Sequence, residues 1–136
     1  MPLEREPHAL VVDLMASDPI VVAAELSVAN VAGVLTDYDV GGLPVVDTTG
    51  RLIGVVSHTD LLGLLASTHS SFDSMALSAR DVMSQPAVTI RGSASLREAA
   101  QLMMERHLAR LVVVGDDTDI ALGVISDSDV VRAFAR

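Results

Sequence analysis

Apolar positions along this chain come in two styles. Short continuous runs of Val, Ile and Leu are bounded by Pro, Gly or Asp, and longer stretches with helical spacing lie between them. The runs predict strands at Ile20–Val22, Leu43–Val46 and Leu52–Val56, and again at Ala87–Ile90, Leu111–Val114 and Leu122–Ile125. Val28, Val31, Ala32 and Leu35 fall at i, i+3, i+4 and i+7, as do Leu96, Ala99, Ala100 and Met103. That spacing predicts amphipathic helices over Ser27–Tyr38 and Ser95–His107. Ser27 and Ser95 stand where N-caps belong, and Ser95 with Glu98 makes an S-x-x-E capping box. Polar turns at Asp47–Gly50 and Gly115–Asp119 join the last two strands of each set. A closing helix is expected near Thr59 and near Ser128. The strands are almost wholly aliphatic, so both of their faces are expected to be covered.

The two sets are copies. Asp13-Leu14-Met15 and Asp81-Val82-Met83 lie 68 residues apart, as do Val28 and Leu96, and Leu43 and Leu111. Gly54 and Gly123, Ser57 and Ser126, and Asp60 and Asp129 are each 69 apart. A nearly constant offset with one-residue slips in turns marks a duplicated β-α-β-β-α unit. The expected organisation is a first unit over residues 1–66, a Ser-rich linker over 67–78 and a second unit over 79–136. A unit of about 55 residues is marginal alone, so the two are expected to pack with pseudo-twofold symmetry, leaving equivalent clefts between them for ligands.

Composition narrows the function. Half of the 136 residues are hydrophobic, yet there is no Cys or Trp, one Tyr and two Phe, so the core must be aliphatic and no disulfide or Cys-based metal site can form. The net charge is −9, and all nine basic residues are Arg. Such a chain lacks the footprint of a nucleic-acid binder and is repelled by an anionic membrane. No apolar stretch approaches the roughly 18 residues of a membrane span. The N-terminal residues MPLEREPHALVV do not resemble a targeting signal, and a cytoplasmic location is expected. The mean hydropathy of +0.47 points to an apolar subunit interface as well as buried strands. Val34 and Met104 flank the helix stripes, and Leu61, Leu62, Leu64, Leu65, Val130, Val131 and Phe134 make the closing helices apolar. A homodimer through helices is expected.

The strings DLMASDPIVV, VGGLPVVDTTGRLIGVVSHTDLL, DVMSQPAVTI and ARLVVVGDDTDIALGVISDSDVV resemble two cystathionine-β-synthase (CBS) domains in tandem, a Bateman module. The resemblance runs from Asp13 to about Phe134. It implies an α/β (α+β) regulatory module that binds adenosine-containing ligands such as AMP, ADP, ATP, NAD or S-adenosylmethionine, in discs formed by two chains. In that family the Asp of the S-x-x-D motif holds the ribose and the Ser or Thr faces the phosphate. Adenine packs against the first strand and the start of the second. The resemblance therefore implicates Ser57, Asp60, Ser126 and Asp129, and for adenine Val21, Val22, Leu43, Pro44, Val88 and Thr89.

Each of these residues also has a plain structural reading. Ser57 and Ser126 end a strand where a helix begins, which suits an N-cap as well as an anion site. Asp60 and Asp129 then serve equally as first-turn charges. Gly41 and Gly42 either let adenine approach the backbone or serve a tight helix-to-strand connection. The apolar residues could be core. Arg110, at the start of the second unit's second strand, offers a fork suited to phosphate, or is a solvated surface Arg. It is similar in position to an Arg that contacts phosphate in the gamma subunit of AMP-activated kinase. Its counterpart is Gly42, so Arg110, Ser126 and Asp129 make the better nucleotide site. Many family members carry a basic residue before the motif Asp; here Thr59 and Ser128 stand there, and Asp127 adds negative charge. A triphosphate is disfavoured on that ground and AMP is the favoured effector.

No catalytic set is visible. His8, His58, His69 and His107 lack metal-ligand spacing, Asp116, Asp117 and Asp119 lack a calcium-loop pattern, and no G-x-S-x-G, Walker or G-x-G-x-x-G motif occurs. The expected protein is a stand-alone, non-enzymatic adenosine sensor with no metal or cofactor, acting on an unknown protein effector. The alternative is a ligand-free dimerisation or scaffold module.

Overall fold

The computed structural model describes residues 9–67, 73 and 75–135. Within the expected linker, residues 68–72 and 74 lie outside the described set, as do the N-terminal residues 1–8 with His8. In order, the elements are α1 (Val11–Leu14), β1 (Ala16–Ser17), β2 (Val22–Ala23), α2 (Val28–Asp37), β3 (Gly42–Val46), β4 (Leu52–Ser57), α3 (His58–Ser67), α4 (Ala79–Val82), β5 (Thr89–Arg91), α5 (Leu96–Arg106), β6 (Arg110–Val114), β7 (Ala121–Ser126) and α6 (Asp127–Arg132).

The expected helices form for the expected reasons. The Ser27 hydroxyl accepts from the Asn30 N–H at 3.1 Å, and Ser95 and Glu98 close their box. Val28, Val31 and Leu35 bury one face of α2; Leu96, Ala99 and Met103 bury the matching face of α5. The first strands each start two residues later than expected. The short helices α1 and α4 and the edge strand β1 were not legible in the pattern, because four residues are too few to show a period.

The chain folds as two compact units. One contains the described residues up to Pro19 with those from Val88 on; the other contains those of Ile20–Ala87. Division by compactness therefore differs from division by repeat. Each repeat lends its opening segment, a short helix and a Met, to the sheet built by the other repeat. In the first unit the sheet order is β1-β7-β6-β5, with Ala16 opposite Val124. The Val11 and Val12 N–H groups donate to the carbonyls of Ala94 and Gly92, which satisfies the start of α1. In the second unit the order is β2-β3-β4, and Ser84 bridges Val55. There the Ala79 and Arg80 N–H groups donate to Leu26 and Ala24.

A glycine permits each of these approaches. A Cβ on Gly54 would lie 2.7 Å from the Met83 sulfur and 2.8 Å from the Ser84 carbonyl. A Cβ on Gly123 would meet the Ala16 carbonyl and stand 2.6 Å from the Met15 sulfur. The recurrent Asp-apolar-Met triplet and the Gly of each repeat's third strand are thus two sides of one contact.

The cores are aliphatic. Val22, Val31, Leu35, Leu43, Val45 and Val56 centre one, and Leu96, Met103, Leu111, Val113 and Ile125 the other. β3 and β6 are buried along nearly their whole length, whereas β4 and β7 alternate buried with partly exposed positions. Two-sided cover thus holds for the second strand of each repeat and not for the third.

Pro44 makes the two sheets unequal. In the first unit the Val112 N–H donates to the Val88 carbonyl at 3.4 Å, and β5 is three residues long. Pro44 occupies the matching place and has no N–H to give Ile20. The pairing of β2 accordingly begins one residue later, at Val22 opposite Val45, and β2 is two residues long. The Asp47 turn is closed by its own carboxylate, which accepts from the Thr49 hydroxyl, the Thr49 N–H and the Arg51 N–H. The Thr49 hydroxyl and the Arg51 N–H hold that carboxyl below its usual value.

Candidate functional site

The S-x-x-D motifs occupy equivalent junctions between strand and helix. In the unit from Ile20 to Ala87, β4 ends at Ser57 and α3 begins at once. The Ser57 N–H donates to Asp60 Oδ2 at 2.8 Å, and the Asp60 N–H returns to the Ser57 hydroxyl at 3.3 Å. The Ser57 hydroxyl also donates to Asp60 Oδ2, at 3.1 Å. Asp60 Oδ1 accepts from the Ser84 hydroxyl at 2.8 Å.

In the other unit β7 ends at Ser126, which caps α6. The Ser126 N–H donates to Asp129 Oδ2 at 2.9 Å, and the Asp129 N–H donates to the Ser126 hydroxyl at 3.1 Å. Asp129 Oδ1 accepts from Arg132 at 3.1 Å. The capping reading of both motifs is therefore realised. It leaves different capacities behind. A carboxylate has about four acceptor sites. Asp60 spends three on described residues, whereas Asp129 spends two and keeps one on each oxygen. That arrangement suits two adjacent hydroxyls, as on a ribose. The Ser126 hydroxyl proton has no acceptor among the described residues, while the Ser57 proton is spent on Asp60.

Strand register completes the junctions. Arg110 lies directly opposite Ser126, as Gly42 lies opposite Ser57. Residues opposite one another in an antiparallel pair project to the same face with Cβ atoms about 5 Å apart. Arg110 is half-buried and makes no hydrogen bond or ion pair from its guanidinium among the described residues. Register thus sets Arg110 opposite Ser126, which is bonded to Asp129, with Gly42, Ser57 and Asp60 as their counterparts.

The residues implicated for adenine divide into two kinds. Val22 and Leu43 are core side chains, 4% and 1% exposed, and Pro44 is fully buried, so packing accounts for them. Val21 and Thr89 are exposed and structurally equivalent, and Val88 is half-buried against its core. Ser84 and Arg132 were missed by the sequence reading. Arg132 had a signal, its i+3 spacing from Asp129 on a helix; Ser84 had none. No group of three or more His, Asp or Glu able to hold a metal occurs among the described residues.

The family model for the CBS domain matches residues 11–67 and again 79–136. The chain belongs to the CBS domain family. Its two CBS repeats are 28% identical, over 88% of this chain, to inosine-5'-monophosphate dehydrogenase of Methanocaldococcus jannaschii, and span 22% of that enzyme. Among solved structures, CBSX2 in complex with AMP shares 32% identity and a TM-score of 0.78, covering 92% of this chain and 95% of that one. The CBS domain pair of protein MJ0100, in complex with 5'-methylthioadenosine and S-adenosyl-L-methionine, has a TM-score of 0.83 over 95% of this chain and 98% of that one. At 24% identity it bears on the fold alone. The mixed α/β architecture of this chain is that of CBS-pair structures.

Proposed function

We propose that this chain is a non-enzymatic regulatory module that binds an adenosine-containing ligand, AMP first, at the Arg110–Ser126–Asp129 junction, and signals occupancy to a protein effector. The observation that carries this reading is the register of β6 against β7, which sets Arg110 opposite Ser126, whose hydroxyl proton is free, while Asp129 keeps two open acceptor sites. Guanidinium and hydroxyl suit a phosphate, and the carboxylate suits a ribose. The AMP complex of CBSX2 supports the same ligand class. Occupancy acts on the effector only through a difference in affinity between two states of the module.

Isothermal titration with AMP, ADP, ATP, NAD and S-adenosylmethionine tests the reading. At least one is expected to bind, and a ligand at 100 times its Kd is expected to stabilise the fold by about 2.7 kcal/mol. Asp129→Ala should abolish binding at that junction. Arg110→Ala leaves the cap intact and should weaken AMP while sparing adenosine. Silence from all five ligands would instead favour the dimerisation or scaffold reading. That second reading draws on the completed capping boxes and on exposed apolar residues: Leu62 and Leu65 on α3, and Val131 and Phe134 at α6 and just beyond it. A homodimer belongs to either version. Light scattering behind size exclusion should give twice 14.2 kDa. No helix among the described residues is long and apolar enough to cross a membrane. A cytoplasmic setting is part of the proposal.

A further inference from the structure

The internal repeat allows the two junctions to be compared position by position, and all but one of the charge differences share a sign. Arg110 answers Gly42 at the start of the second strand. Arg132, three residues beyond Asp129, answers Gly63, three beyond Asp60. His107 answers Asp39, three residues ahead of that strand, and both adopt the left-handed conformation, with φ of 55° and 53°. One difference runs the other way: Asp127 answers His58. The donor to the outer carboxylate oxygen also differs. Ser84 supplies a neutral hydroxyl to Asp60, and its counterpart Ala16 has none to give. There the cationic Arg132 takes over, bonding Asp129 at 3.1 Å. The same oxygen is thus satisfied by a neutral group in one unit and a charged one in the other. Around Asp129 two guanidiniums balance Asp127 and Asp129. Asp60 has no ion pair among the described residues, and Asp39 lies ahead of it in the chain.

We infer that the two junctions differ in ligand charge: the Asp129 junction takes phosphorylated adenosine, the Asp60 junction takes an uncharged or cationic adenosine compound, and Arg132 is a residue that sets this difference. The inference rests on the adenosine reading above. Arg132 offsets the charge of the ribose-holding carboxylate, so a phosphate nearby meets less repulsion. Ser84 orients Asp60 without altering its charge, which leaves that junction favourable to a neutral nucleoside or a sulfonium.

The experiment is calorimetric titration of the full chain with AMP, adenosine and S-adenosylmethionine, in Asp60→Asn and Asp129→Asn backgrounds that isolate one junction each. With Asp60→Asn, AMP should bind about tenfold or more tighter than adenosine, the size of a charge-assisted contact. With Asp129→Asn, adenosine and S-adenosylmethionine should bind at least as tightly as AMP. Arg132→Gln in the first background should lower the AMP-to-adenosine ratio about tenfold while leaving adenosine affinity in place, and Arg132→Lys should restore the ratio. Gly63→Arg in the second background should raise the ratio. An equal ratio in both backgrounds overturns the assignment. So does an Arg132→Gln variant that loses AMP and adenosine equally, the mark of a merely structural role. If none of these three compounds, nor ADP, ATP or NAD, binds the unsubstituted chain, the adenosine reading itself falls, and the assignment with it; binding with one shared ratio overturns the assignment alone.

Discussion

Gly54→Ala probes the contact between β4 and the opening segment of the second repeat. The new methyl would stand 2.7 Å from the Met83 sulfur, 3.1 Å from its Cγ and 2.8 Å from the Ser84 carbonyl oxygen. The thioether can rotate aside at modest cost. The carbonyl cannot, because the Val55 N–H holds it at 3.0 Å and the Ser84 N–H bonds back to Val55 at 2.8 Å. The segment must lift from β4. Overpacking costs about 1–3 kcal/mol, and loss of one of the two bridge hydrogen bonds adds about 1 kcal/mol. A destabilisation of about 2–4 kcal/mol follows from these two effects. In urea, with a slope of about 2 kcal/mol/M, the midpoint should fall by about 1–2 M at unchanged slope. Gly63→Ala is the control: nothing lies within 4 Å of its new Cβ on α3, and it should stabilise by about 0.5–1 kcal/mol. A Gly54→Ala protein within about 0.5 kcal/mol of the parent would refute the reasoning, since that is the scatter of ordinary surface changes. Full rescue by Met83→Ala would show that the side chain, not the Ser84 carbonyl, sets the spacing.

Three further outcomes are expected. Leu111→Ala, at a position 1% exposed in its core, should cost about 2–5 kcal/mol by chemical denaturation. Pro44→Val supplies the N–H that Val112 gives to Val88 in the other unit, and the new amide at position 44 should be protected in hydrogen exchange; exchange at the free rate would mean that Pro44 does not limit β2. Asp47 has its carboxyl held low by the Thr49 hydroxyl and the Arg51 N–H. Its stabilising effect is therefore present above the unfolded value of about 3.9 and is lost as pH falls through the lower folded value. Asp47→Asn should flatten the acid limb of the stability curve below about pH 4, and Thr49→Val should move the Asp47 carboxyl titration upward in NMR.

Much of the fold was legible because its signals are local and repeated. Helical spacing with a Ser cap suffices to call α2 and α5, since capping and one-sided burial act within a few residues. The constant offset identified Ser57 with Ser126 and Asp60 with Asp129 before any coordinates. The grouping of Arg110 with Ser126 and Asp129 was legible for the same reason, through its counterpart Gly42. Ser84 was not, because its partner Asp60 is 24 residues away and only the docking of the opening segment on β4 joins them.

The sequence by itself determined the duplication, the order of the main elements, the aliphatic core and the two S-x-x-D junctions. Those follow from periodicity, capping chemistry and turn residues, which are properties of neighbouring positions. Only the tertiary structure decided which opening segment belongs to which sheet, how far β2 pairs, and what holds the outer oxygen of Asp60. Those depend on segments far apart in the chain meeting at van der Waals distance. A Gly that admits a Met and a carbonyl, a Pro that withholds one N–H, and a Ser within hydrogen-bond reach of a distant Asp give no sign of their partners until the chain has folded.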